Sequence, residues 1–451
     1  MLQGIAPDGG LYMPEVFPHL PDLDSLQDLS YPELVARVLT PFFTHLKSTD
    51  LEQAAARAYA RFDIDPPVKI TGRAGRRVLE LFHGPTLAFK DMALCLLPQL
   101  MQLAKPFVET APKTLVLTAT SGDTGVAAME GFADIEGFHV IVFYPLGGVS
   151  PLQERQMRAQ ASANTTVIGI EGNFDDAQRG VKTMLRQESF KQRLADNGWA
   201  VASANSINLG RLLAQVVYYV YTALQVSERL RFVVPTGNFG NVLAAHWAGR
   251  MGLPVQELIV ATNENAVLDD FFKTGEYAAD RPLVRTESPS MDILVSSNLE
   301  RLLAEAGEDA VQRAMRDLEE TKSFRWPTTL AGFSSGRINR EQAAAEIQRA
   351  WLNEGQLLDP HTAVASALLH ERGGEGIIVA TASPFKFPRF VLESLGEKTG
   401  SDPFDDLKRL SSVSGQPIPE PLRRLETARL KEEKTCTIAD MAVAVSEVLH
   451  V

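Results

Sequence analysis

Apolar and polar positions along the chain follow a helical rhythm near the N-terminus and alternate between strand-like and helix-like runs afterwards. "YPELVARVLTPFF" and the Ala-rich "DLEQAAARAYARF" place apolar residues at helical spacing, so Ser30–Phe62 is predicted helical. "RRVLELF" (Arg76–Phe82) reads as a strand leading into a loop punctuated by Gly84 and Pro85. From Lys113 short apolar runs alternate with amphipathic ones. "KTLVLTA", "FHVIVFYP", "TTVIGIEG" and "WAVASA" are strand candidates, separated by the helical "TGVAAMEGFA", "SPLQERQMRAQ" and "DDAQRGVKTMLRQ". After a long helix over Ile207–Gln225, "RFVVP" and "VQELIVATN" flank the helix "VLAAHWAGRM". "DAVQRAMRDLEETK" and "REQAAAEIQRAWL" are further helices, "GIIVATAS" is a strand, and the C-terminal tail is helical with charged turns.

Strands alternating with helices at this spacing predict βαβ units and parallel sheets. The two stretches, roughly 113–203 and 231–383, predict two parallel-sheet α/β domains with a cleft between them and a helical N-terminal region. The expected division is 1–95 for the N-terminal helical region with the Lys90 segment, 96–205 for a small mobile α/β domain, and 206–451 for a large one with a helical tail. No internal repeat or low-complexity segment interrupts this plan.

Charge narrows the choice of partner. The formal net charge of −12 argues against nucleic-acid or anionic-membrane binding, which favour a basic surface, but leaves room for a small anionic substrate. Two cysteines, Cys95 and Cys436, are too few for a disulfide framework, and the eight histidines show no zinc spacing, so no metal is expected. With no signal pattern and no apolar run of membrane-spanning length, a soluble cytoplasmic protein is expected.

Three loops at strand ends carry unusual chemistry, where open α/β sheets bind ligands. "TSGDTG" (Thr120–Gly125) reads equally as an anion site at a helix N-terminus or as a turn capped by Asp123 or Thr124. "PTGNFGN" (Pro235–Asn241) combines two glycines with two amides; it lacks the P-loop Lys-Ser/Thr and the G-x-G-x-x-G pattern, so a lone phosphate group fits better than a nucleotide. "ATASPFKF" (Ala380–Phe387) offers Thr381, Ser383 and Lys386 but is weak by itself. Lys90 stands in "LAFKDMAL" between Phe89 and an apolar run. Such surroundings disfavour the ammonium form and free the amine for Schiff-base chemistry. A reactive lysine, a phosphate cradle and a strand-end hydroxyl together suit pyridoxal phosphate.

"HGPTLAFKDMAL", "TSGDTG", "SANSINLGRLLAQVVYY", "PTGNFGN", "SPSMDILVSSNLERLL" and "DPHTAVA", in this order, resemble the threonine synthases, pyridoxal-phosphate enzymes of the tryptophan-synthase-β type (fold type II). The opening "GIAPDGGLYMPE" resembles the family as well, whose members carry a further segment before it. A truncated or differently assigned start is therefore expected.

The resemblance implies that Lys90 carries the cofactor and shuttles protons, that Gly237, Asn238, Phe239, Gly240 and Asn241 hold its phosphate, and that Thr381 faces its ring nitrogen. It implies that Ser121, Gly122, Asp123 and Thr124 bind the substrate carboxylate, the role of Asp123 staying open between a helix cap and a protonated partner of the cofactor. For the substrate phosphate it implies Asn205, Ser206, Asn208 and Arg211, with Lys386 as a second cation. His83 would line the site or be satisfied in its loop, and Ser288, Ser290 and Asp292 would shape the cleft. The implied reaction is a carbon–oxygen lyase step on a phosphate ester, turning O-phospho-L-homoserine and water into L-threonine and phosphate. Two alternatives stand beside it: a phospholyase releasing 2-oxobutyrate, ammonia and phosphate, and a non-catalytic fold relative. Oligomeric state stays open.

Overall fold

Side chains on both faces of two sheets pack against helices to form the core. The computed structural model describes residues 1–6, 9–108, 113–227, 229–327 and 330–451; Pro7 and Asp8 of the opening motif therefore lie outside the described residues. Its strands in chain order are β1 (Lys69–Arg73), β2 (Arg76–Glu80), β3 (Lys113–Ala119), β4 (Phe138–Pro145), β5 (Thr165–Ile170), β6 (Trp199–Ser203), β7 (Leu230–Pro235), β8 (Val255–Thr262), β9 (Glu276–Ala278), β10 (Ser323–Arg325), β11 (Phe333–Arg337), β12 (Gly376–Ala380) and β13 (Lys434–Cys436).

A six-stranded sheet has the order β1-β2-β12-β7-β8-β11 and a five-stranded sheet the order β13-β5-β4-β3-β6. Apart from the β1–β2 hairpin, all pairs in both sheets are parallel. Helices cover both faces, so the strands are apolar on both sides. In the larger sheet Leu79, Phe232, Val234, Ile377 and Val379 face the helices Tyr31–Leu39, Leu209–Gln225 and Gly240–Arg250. Val78, Val233, Ile259, Ile378 and Ala380 face Arg340–Glu354 and Pro360–Arg372. The smaller sheet divides likewise, with Val116, Val140 and Val142 on one face and Leu117, Ile141 and Ile168 on the other.

Two segments cross the expected boundaries. Strand β2 precedes the smaller sheet in sequence yet pairs with β12 in the larger one, from Gly376↔Arg76 to Ala380↔Glu80. The tail was expected wholly with the larger unit; instead β13 pairs with β5, and Met441, Val445 and Leu449 pack onto Ile141, Ile168 and Val181 of the smaller sheet's core. Backbone pairing along an open edge and the apolar helix Met441–Leu449 decide this; the helix is apolar in sequence, but which sheet it packs on is set by the pairing of the short, charged strand before it. The edge strand β11, "FSSGR", was also not foreseen because it is short and polar.

Between the sheets, the helix Lys90–Leu94 lies across Asp123–Phe132. Gly131 makes this crossing possible: a Cβ there would sit 2.1 Å from the Leu94 carbonyl oxygen. The crossing fixes how far the Lys90 end lies from the loop before Asp123. Gly131→Ala is expected to cost about 1–3 kcal/mol of stability as an overpacked contact, read as a lowered melting temperature in thermal unfolding.

Candidate active site

The loop before Lys90 is stitched to the end of β12. Leu81 N–H donates to the Ala380 carbonyl at 3.1 Å, Phe89 N–H to Thr381 O at 2.8 Å, and Ser383 N–H to Leu87 O at 3.0 Å. Inside the loop, the Asp91 carboxylate accepts from Thr86 N–H at 2.8 Å and from Thr86 Oγ1 at 2.5 Å. A Cβ on Gly84 would come within 2.5 Å of the Asp91 side chain, so the turn closes only with glycine there. Burial raises the Asp91 carboxyl to about 6 against those hydrogen bonds. Lys90 then begins a short helix at the cavity wall, 8% exposed, where a solvated lysine would not be found.

Its Nζ meets Asp123 Oδ2 at 3.2 Å and Ser290 Oγ at 2.9 Å. Ser290 Oγ also donates to Asp123 Oδ2 at 3.1 Å, and Gln153 Nε2 donates to Oδ1 at 2.9 Å. On the far side Lys386 Nζ lies 2.7 Å from Asp123 Oδ1. Burial opposes the charge on Asp123, but Lys386 and Lys90 overcome it and hold the carboxyl well below its ordinary value. For Lys90 burial dominates and lowers the pKa; Asp123 pulls the other way, while Lys386 and Arg211 add to the lowering. Asp123 is thus not the helix cap. The helix is capped by Gly122, whose φ of 138° and contact with Gln153 (a Cβ would approach it within 2.4 Å) exclude other residues.

The "PTGNFGN" loop leaves β7 and opens the helix Gly240–Arg250. Its carbonyls turn away from the cavity: Ser296 Oγ donates to Gly237 O at 2.6 Å, and Asn298 N–H and Nδ2 donate to Asn238 O, both at 3.1 Å. Among the described residues no acceptor takes the N–H of Gly237, Asn238, Phe239, Gly240 or Asn241. Phe239 is held in the left-handed region (φ 64°), its ring 5.8 Å from Phe272 and 5.9 Å from Phe333. At Gly237 a Cβ would lie 2.4 Å from the Ser290 carbonyl oxygen. Asn241 accepts from Tyr218 and Tyr219 hydroxyls, which leaves its buried Nδ2 without a partner.

One cavity joins these pieces. Lys90, Ser121, Thr124, Asn205, Ser206, Arg211, Gly237–Asn241, Ser290, His361 and Thr381 line it, all from loops or helix starts at the carboxyl ends of strands or close to them. Arg211 is buried, donates to the Ala204 carbonyl at 2.9 Å, and keeps its Nε unpartnered; burial lowers it to about 10, so it stays a cation. Asn205 Nδ2 donates to Ala119 O at 3.0 Å, pinning the end of β3 beside β6.

Several expected residues lie elsewhere. Asn208 is fully buried, spends its amide on the Met1 and Ser203 carbonyls, and caps the helix Leu209–Gln225, so it does not reach the cavity. Lys386 does not face it either: its Nζ is taken by Asp123 and the Thr86 carbonyl. His83 is satisfied by Glu80 at 3.0 Å and Asp63 at 3.3 Å. Asp292 and Ser288 accept from Asn263 and brace their own loop. Conversely, Gln153 and His361 were not foreseen as site residues. The Ser150–Gln153 capping box marks a helix start, but nothing local signals its contact with Asp123. His361 stands in "DPHTAVA"; its Nε2 accepts from Ser290 N–H at 3.2 Å.

Among the described residues there is no metal-binding cluster, and no helix is long and apolar enough to cross a membrane. The family described as "Pyridoxal-phosphate dependent enzyme" matches residues 78–381, and "Threonine synthase N terminus" matches residues 1–59. The threonine synthase of Pseudomonas aeruginosa is 39% identical over 87% of this chain and 86% of its own; that of Eremothecium gossypii is 35% identical over 94% and 89%. A crystal structure of threonine synthase from Brucella melitensis with pyridoxal phosphate bound superposes with a TM-score of 0.88 at 36% identity, covering 100% of this chain and 95% of that one.

The chain belongs to the threonine synthase family.

Its fold is the family's fold type II, and its cofactor is pyridoxal phosphate. The donor set suits that group. Five free amides at the start of an 11-residue helix, with the unpartnered Asn241 Nδ2 beside them, match a phosphate, and a buried amine matches an aldehyde.

Removing one partner of a buried charge cluster leaves the others uncompensated. Asp123→Asn is therefore expected to cost about 3 kcal/mol near neutral pH. Because the folded carboxyl lies below its ordinary 3.8, its contribution is complete above that value and is lost as pH falls further. Urea unfolding from about pH 7 down to about pH 3 should accordingly show wild type and variant converging at the acid end.

Proposed function

We propose that this chain is a threonine synthase converting O-phospho-L-homoserine and water into L-threonine and inorganic phosphate. The observation that carries the reading is the shared cavity of Lys90 and five unpartnered amides, in a chain of this family. Lys90 is the attachment point for the cofactor, Gly237–Asn241 hold its phosphate, and Thr381 faces its ring nitrogen. When bound, the cofactor supplies an electron sink for charge developing at the substrate's Cα. A hydroxyl at Thr381, unlike a carboxylate, does not fix a proton on the ring, and so moderates that sink.

Ser121 and Thr124, which line the cavity with a helix N-terminus behind them, bind the substrate carboxylate. Arg211, Asn205 and Ser206 bind its phosphate, the guanidinium offering paired hydrogen bonds to a dianion. Lys90 takes the proton from Cα and then one from Cβ, returning protons as phosphate departs from Cγ and water adds at Cβ. A lysine whose burial disfavours the ammonium offers its lone pair more readily than a solvated one and can then return the proton it takes. The same reading gives a cytoplasmic setting, which the two unpaired cysteines support.

Chromatography of products formed from O-phosphohomoserine tests this directly. L-threonine with equimolar phosphate is expected; 2-oxobutyrate with ammonia would make the chain a phospholyase, and no turnover with added cofactor would make it a non-catalytic relative. Lys90→Ala is expected to lower turnover about a thousand-fold or more in the same assay.

A further inference from the structure

Lys386 ends inside the protein, 2% exposed, with its ammonium 2.7 Å from Asp123 Oδ1 and 2.8 Å from the Thr86 carbonyl oxygen. Lys90 reaches the other oxygen of the same carboxylate at 3.2 Å. One buried carboxylate is therefore shared by two buried lysines, and the closer contact belongs to the one that does not line the cavity. A carboxylate facing Lys90 alone would hold that amine as an ammonium ion, with no lone pair to offer. Engaged from behind, it attracts the Lys90 proton less, while the second cation repels it.

We propose that Lys386 is a positioning residue that acts through Asp123, drawing off its charge so that the Lys90 amine stays neutral and free to bond an aldehyde. Asp123 then has two tasks: it keeps Lys386 from being an unpaired buried charge, and it aims Lys90 Nζ together with Ser290. The other charged or titratable groups around Lys90 do not undo this. Arg211, on the helix Leu209–Gln225, adds repulsion. Asp91, next to Lys90, turns to Thr86. His361, on the helix Pro360–Arg372, accepts through Nε2 from Ser290 N–H and has Nδ1 3.3 Å from Asp359 Oδ2. Asp359 caps that helix, bonding Thr362 N–H. The inference rests on the proposed function only in taking Lys90 as the reacting amine.

The test is the pH dependence of Lys90 acylation by acetic anhydride in the cofactor-free protein, measured by mass spectrometry of the Lys90 peptide against exposed lysines of the same chain. In the wild type, Lys90 is expected to react at lower pH than the exposed lysines. Lys386→Met should slow its labelling near neutral pH about tenfold by moving the profile upward, and Asp123→Asn combined with Lys386→Met should return it to within a few-fold of wild type. If Lys386→Met does not fold, Lys386→Gln, which keeps a hydrogen-bond donor for the Asp123 carboxylate without the charge, replaces it and should slow labelling in the same direction. An unchanged or faster profile on removing the Lys386 charge with Asp123 present would overturn the proposal. A shifted profile in a chain that forms no threonine would leave this inference standing and remove the product reading; threonine formation with an unshifted profile would do the reverse.

Discussion

One carboxylate between two buried lysines, Lys90 and Lys386, is the interaction on which the site depends. Taking charges out of water costs on the order of several kcal/mol per ion unless each finds a partner, and here Asp123 serves Lys90 and Lys386 at once. Gln153 and Ser290 complete the carboxylate's hydrogen bonding. The arrangement ties together four separate stretches of chain: the Lys90 loop, the β3 loop, the loop after β12 and the Ser290 turn. Chemistry and architecture are therefore coupled, because the amine cannot be placed without also assembling the ends of both sheets.

The rest of the cavity complements that cluster. Its wall offers hydrogen-bond donors: amides whose carbonyls are turned outward by Ser296 and Asn298, an asparagine Nδ2, and the Arg211 guanidinium. A chain with net charge −12 thus keeps a local region suited to anions. The two phosphates of the proposed reaction, one on the cofactor and one on the substrate, would draw on different donors, the loop amides and Arg211. Strain at Phe239 is retained by packing against Phe272 and Phe333, as expected where a backbone turn must present its N–H groups in one direction.

Much of this was legible in the chain itself. The strand-helix rhythm predicted parallel sheets, and Lys90 in apolar company, with Gly-Asn and Ser-Gly loops at strand ends, marked the cavity wall. What could not be read were contacts set by tertiary folding. Lys386 looked like a cation for substrate, but only the stitching of β12 to the Lys90 loop shows that it points inward. Asn208 looked like a donor, and became a helix cap because it follows the strand β6 and opens a long helix. Gln153 is remote from Asp123 by 30 positions, and its role appears only when the helix Pro151–Ala159 docks beside Gly122. Similarly, β13 joins the smaller sheet through backbone pairing that a charged tail does not advertise.

The most direct measurement of the central claim is chemical trapping of the cofactor-loaded protein with borohydride, followed by peptide mapping. A neutral, correctly aimed Lys90 predicts a single pyridoxyl group on the peptide containing "AFKDMAL". A pyridoxyl group on Lys386, or on any other lysine in its place, would contradict the account.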